Sequence, residues 1–186
     1  MNFRPWLGTL ALCGMAAAVG NARPVADSAA LSQTAVGFYA AYKAIPPGGI
    51  PDATARARLR PFLSPVLDRL LAEGEAVEGR YKKATKNMSP PLVEGDLFTS
   101  LFEGATTFRV GACETDAHGG HCQVLLGYNN GKDKPLAWTD TVYLVRAGAG
   151  WGVDDIAYGA TWSFGNKGRL TATLKDAIKD GEGATE

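Results

Sequence analysis

The sequence predicts an α+β fold: N-terminal helices packed on a curved, four-stranded antiparallel sheet, the whole shaped as a cone with an open mouth. Two observations carry this expectation. Up to about residue 86 the apolar residues recur at helical spacing, and from Ala105 onward they alternate with period two. The segment 90–104, Pro-Pro-Leu-Val-Glu-Gly-Asp-Leu-Phe-Thr-Ser-Leu-Phe-Glu-Gly, separates the two regimes. Helices first and strands afterwards is the α+β order, because each element must bury its apolar face against another layer. At 186 residues the chain suits one domain, and no internal repeat or low-complexity linker divides it.

A first helix is expected over 27–42, capped by Asp27 or Ser28, with Leu31, Ala35, Phe38, Tyr39 and Tyr42 on one stripe. Pro46, Pro47, Gly48 and Gly49 end it. A shorter helix over 53–59 stops ahead of Pro61, since the residue before a proline avoids the helical region. Ser64 and Pro65 supply the next N-cap and first helical position, and Asp68 lies near the positive end of the helix dipole. Val66, Leu67, Leu70, Leu71, Val77 and Tyr81 mark its buried face, to about residue 86. Within 90–104, Asp96 stands as an N-cap, Gly104 as a C′ residue, and Leu97, Phe98, Leu101 and Phe102 as one face of a short helix. Barely two turns cannot hold by propensity. This helix is therefore expected to plug the sheet, with Phe98 and Phe102 both in the core.

Phe108, Val110 and Ala112 then alternate with Thr107, Arg109 and Gly111, as in a half-buried strand. Residues 116–120 form a turn and 122–128 the return strand. Asn129, Asn130, Gly131 and Asp133 make the next turn, followed by strands over 138–146 and 151–158. Leu170, Leu174 and Ile178 mark a terminal helix over 170–179. The domain is expected to span 23–180, with 181–186 a frayed, Gly- and Glu-rich tail.

Residues 1–22 read as a signal peptide. Arg4 gives the positive start, 6–19 is an uncharged apolar run, and Gly20-Asn21-Ala22 offers the small residues of a cleavage site. The run is too short to span a bilayer comfortably. Leu12 before Cys13 departs from a lipid-attachment site, so soluble export to the periplasm or beyond is expected. Nineteen basic and nineteen acidic residues argue against nonspecific nucleic-acid binding, which needs clustered cations. Cys13 would leave with the leader, and Cys113 and Cys122 would remain as a disulfide pair in an oxidising compartment. Closing so short a loop stabilises by about 2.5–3 kcal/mol on chain entropy alone.

The runs Phe38-Tyr39 and 90–104, then Trp138-Thr139-Asp140, Trp151-Gly152-Val153-Asp154-Asp155-Ile156-Ala157-Tyr158-Gly159, and Trp162 with Asn166-Lys167-Gly168, cover nearly all of the mature chain. Together they resemble an uncharacterised family of exported bacterial proteins and lipoproteins, grouped with the nuclear-transport-factor-2-like and cystatin-like cone folds. The resemblance implies a cystatin-like fold and an envelope location. It implies no activity and no catalytic residues.

The candidates for chemistry are few. Asp140, Asp154 and Asp155 fall on adjacent expected strands; two carboxylates sharing a desolvated cavity would drive one pKa upward and create a general acid. The other reading is that they bind backbone amides. Trp138, Asp140, Tyr158 and Trp162 are the candidate ligand-binding residues at the cone mouth, with core packing as the alternative for the aromatics. His118 and His121 stand with the two cysteines in a metal-like spacing. Adjacent His121 and Cys122 would point opposite ways in a strand, however, and a disulfide would leave no thiolate, so no metal is expected. There is no nucleophile elbow, P-loop or His-Glu-x-x-His, and no cofactor motif. The sequence thus points to an exported, noncatalytic binding module. It would take a small ligand in the cone or a periplasmic protein partner, as in an inhibitor or immunity role. The alternative is a small enzyme using Asp140 with Asp154 or Asp155.

Overall fold

The computed structural model describes Met1 and residues 22–46 and 48–184. The expected leader, apart from Met1 and Ala22, lies outside the described residues. The described residues form an α+β domain: α1 (Ala22–Tyr42), α2 (Ala53–Leu59), a 3-10 turn (Arg60–Phe62), α3 (Pro65–Ala84), strands β1 (Thr107–Thr115), β2 (Gly120–Tyr128), β3 (Leu136–Ala147) and β4 (Gly150–Ala157), and α4 (Leu170–Gly183). The strands make one antiparallel meander in the order β1-β2-β3-β4.

The helical stripes bury as their spacing requires. Leu31, Ala35, Phe38 and Tyr39 of α1 are wholly buried, and Tyr42 nearly so. Ser64 caps α3, its Oγ accepting the Leu67 N–H at 3.0 Å, while Asp68 pairs with Arg56 at 3.2 Å and Arg60 at 3.3 Å. Val66 departs from expectation: it is exposed, because the buried stripe of α3 runs through Leu67, Leu71, Gly74 and Val77 and Val66 lies off that stripe. Helix α4 continues to Gly183, past the point at which fraying was expected, and Gly181 is buried against Val77 and Leu92.

Two bulges set which side chains face inward. Val110 pairs with Val124 and Cys113 with Cys122, so Gly111 and Ala112 together oppose one residue of β2. The extra residue reverses the alternation: Ala112 turns to solvent and Cys113 takes the inward place that strict period two gives to Ala112. Cys113 and Cys122 are disulfide-bonded directly across the pair, with Cα atoms 4.1 Å apart. The second bulge lies in β4, where Tyr143 pairs with Asp155 and Leu144 with Val153, leaving Asp154 as the extra residue.

The core lies between the inner sheet face and the helices. It joins Leu31, Phe38 and Tyr39 of α1 and Leu67 and Leu71 of α3 to Val124, Val142, Leu144 and Ile156 of the sheet. The segment 90–104 belongs to it but is not helical. Leu97, Phe98 and Leu101 are buried, whereas Phe102 is 47% exposed, which corrects its expected place in the core. The reason is where the backbone bonds go. The carbonyls of residues 96 and 99 accept from Asn166 Nδ2 at 2.6 and 2.7 Å, and that of Ser100 accepts from the Asn166 N–H at 2.8 Å. Those of Leu97 and Phe98 accept from the hydroxyls of Tyr158 at 2.7 Å and Tyr39 at 3.4 Å. The Leu101 carbonyl accepts from Thr99 Oγ1 and the Gly104 N–H, and the Phe102 carbonyl from the Asp96 N–H. Every carbonyl from 96 to 102 is thus satisfied without a helix, which removes the helix's advantage.

Candidate functional site

Asp140 sits on the inward row of β3, wholly buried. Its Oδ2 accepts from the Ser100 N–H at 2.9 Å and Trp138 Nε1 at 3.1 Å; its Oδ1 accepts from the Ser100 hydroxyl and from the Gly159 N–H at 2.8 Å. Ser100 Oγ in turn accepts from the Ala160 N–H at 3.2 Å. A Cβ at Gly159 would lie 2.0 Å from the Thr139 carbonyl, so glycine is what lets this strand end approach the carboxylate. With four donors, Asp140 is a fastener that joins the sheet to two loops, and its lone pairs are spent.

Asp154 and Asp155 are spent elsewhere. Asp155 lies opposite Tyr143 on the outer face of the sheet. Its carboxylate accepts from the Thr171 N–H at 3.0 Å and pairs with Arg169 at 3.1 Å. Arg169, the residue ahead of α4, makes no side-chain cap, so Asp155 supplies from the neighbouring strand the negative charge that a helix start favours. Asp154 accepts from the Ser64 hydroxyl at the start of α3. Asp155 pairs at a position three residues along β3 from Asp140, about 10 Å on the strand rise, and on the opposite face. The structure therefore does not bring Asp140 and Asp155 together as an acid pair, and each of the three acids serves backbone or capping groups.

Asp96 is the other buried carboxylate. Its Oδ1 accepts the Phe98 N–H at 2.8 Å, and the Tyr42 hydroxyl, which accepts the Ala105 N–H at 3.0 Å, donates to it. Gly104 closes over this pair at φ +78°, where a Cβ would meet both groups. Burial pushes the Asp96 carboxyl up to about 6, against the opposing pull of Tyr42 and the Phe98 amide. Burial likewise holds the Tyr39, Tyr42 and Tyr158 phenols above their ordinary range, so all three remain neutral donors.

Of the candidate aromatics, Trp138 and Trp162 meet, while Tyr158 is tied through its hydroxyl to the Leu97 carbonyl. Trp138 and Tyr158 are buried; Trp162 is half-buried with its ring edge-on to Trp138, centroids 5.3 Å apart. Trp162 stacks in turn on Phe164, centroids 5.2 Å apart and planes 9° from parallel. Phe164 is 52% exposed. The stack thus runs from the core to the rim and ends in a cavity of about 320 Å³. Leu101 and Glu103 form one wall, Tyr128 and Leu136 the sheet side, and Asn130, Asp133 and Lys134 the β2–β3 loop. Sequence reasoning missed Phe164, Tyr128 and this loop. The available signal was Trp162-Ser163-Phe164, two large aromatics outside any strand or helix pattern.

The histidines do not converge. His121 faces outward against Tyr143, centroids 6.0 Å apart, and His118 lies in the β1–β2 turn beside Asp116. Among the described residues no three His, Cys, Asp or Glu side chains are placed to hold a metal ion, and no helix is long and apolar enough to cross a membrane. Comparison with family models, with curated proteins and with solved structures returned no match.

Proposed function

We propose that the chain is an exported, noncatalytic binding module whose ligand sits at the rim cavity beside Phe164, rather than inside a cone. One observation carries this reading: the aromatic stack Trp138–Trp162–Phe164 surfaces as a half-exposed ring in a cavity within the size range of small-molecule sites. Trp138, Asp140 and Tyr158 then support the site from beneath, and Trp162 backs the ring that meets the ligand. The noncatalytic part is supported by the acids, since Asp140, Asp154 and Asp155 all accept hydrogen bonds from structural partners. Export is supported by the sequence of residues 1–22 and by the disulfide. The test is an apolar reporter dye, 8-anilinonaphthalene-1-sulfonate, titrated against the folded protein and Phe164→Ala. Saturable fluorescence that falls at least fivefold in the variant is expected. Dye binding indifferent to Phe164 would remove the site.

A further inference from the structure

We propose that the rim cavity recognises a carbohydrate, one pyranose ring lying on the free face of Phe164 with its hydroxyls held by Glu103, Asp133 and Lys134. This rests on the binding-module reading above and adds the ligand class. One face of Phe164 is covered by Trp162, and its 52% exposure leaves the other to solvent. A flat apolar ring backed by a second ring suits the C–H face of a sugar, which offers apolar area with hydroxyls at its edge.

The edge of the cavity is polar in the matching way. Among the described residues the side chains of Glu103 and Lys134 have no partner, and Asp133 uses only Oδ2, which accepts from Asn130 Nδ2 at 2.7 Å. The carboxylates accept and the ammonium donates, which neutral hydroxyls, being both donor and acceptor, can answer on every side. A wholly apolar ligand would desolvate these groups without compensation. A phosphate would meet two carboxylates and one cation. The volume, about 320 Å³, equals roughly ten waters and admits one ring with its first linkage.

The polar wall is also set in advance. Asn129 Oδ1 accepts the Gly131 N–H at 2.8 Å, and Asn130 Oδ1 accepts the N–H groups of Lys132 and Asp133 at 2.9 Å each. The Asn129 N–H is tied to Thr106 Oγ1 at 3.0 Å. A loop held by four such bonds loses little freedom on binding.

The experiment is isothermal titration calorimetry of the folded protein with maltotriose, cellotriose, chitotriose and xylotriose, on wild type, Phe164→Ala and Phe164→Tyr, beside the dye titration. Saturable binding of at least one trisaccharide is expected, weakened tenfold or more in Phe164→Ala and kept within threefold in Phe164→Tyr. Dye binding that depends on Phe164, with no heat from any of the four sugars, would overturn the carbohydrate and leave the cavity reading standing. No dye and no sugar would overturn both. Sugar binding equal in wild type and Phe164→Ala would place it elsewhere and sink this site. Unchanged unfolding midpoints in both variants, as befits an exposed ring, would show that the losses are not misfolding.

Discussion

Helix α3 and the segment 96–104 begin alike and end differently. Each opens with a polar side chain accepting a nearby backbone N–H, Ser64 from Leu67 and Asp96 from Phe98, and each continues with paired apolar residues. In α3 the acceptor reaches three residues on and the helix runs for 20 residues. In 96–104 it reaches two residues on, a turn geometry, and the carbonyls that follow are taken by Asn166, Tyr158 and Tyr39. Local signals decide a structure only where the backbone has no better partners from afar. The cap alone does not make the helix.

That contrast can be broken at its fastener. Asp140→Ala would strand the Ser100 N–H and Trp138 Nε1 in the core and release the Gly159 N–H at its edge, and should cost about 4–5 kcal/mol, enough to unfold a marginal domain. A urea midpoint within error of wild type would show that the loop holds without it. Phe98→Ala should cost about 4 kcal/mol as a large-to-small core change, whereas Phe102→Ala should cost under about 1 kcal/mol, since its ring is 47% exposed. Equal losses in the two would restore the two-turn helix in which both are buried.

Asp96 sharpens the comparison by pH. Its carboxyl is raised from 3.8 to about 6 in the fold, so the folded chain holds that proton more tightly than the unfolded one. Stability from this group is therefore greatest below about pH 4, falls as pH rises to about 6, and is level above; the loss is about 3 kcal/mol. Asp96→Asn should flatten that slope, read as the difference between wild-type and variant urea midpoints from pH 4 to 7. Ser64→Ala, at the start of α3, should cost only about 1–2 kcal/mol and show no such slope. If it cost more than Asp140→Ala, α3 rather than the loop would be the molecule's weak point.

Much of the fold was legible in the sequence because period reports face locally. The stripe of α1, the Ser64-Pro65 start and the three hairpins follow from neighbours within a few residues. The loop was not, since Asn166 and Tyr158 stand some 60 to 70 positions from the carbonyls they serve. The bulge at Gly111 and Ala112 was equally hidden, and it cost Ala112 its expected inward place. Of the four expected ligand-binding residues, Trp138 bonds Asp140 and meets Trp162, while Tyr158 ties to the Leu97 carbonyl. Phe164 carried no periodic signal at all.

The tethering of residues 96–102 also has a consequence for how the molecule breathes. Irregular segments ordinarily exchange their amide protons with solvent through small local openings. The Ser100 amide is bonded to a buried carboxylate on a central strand, and its carbonyl to a residue near the C-terminal helix. Releasing it requires the sheet and both flanking loops to part together, the motion of global unfolding. A stretch with neither helix nor strand thus belongs among the slowest-exchanging parts of the chain, its protection set by the whole fold.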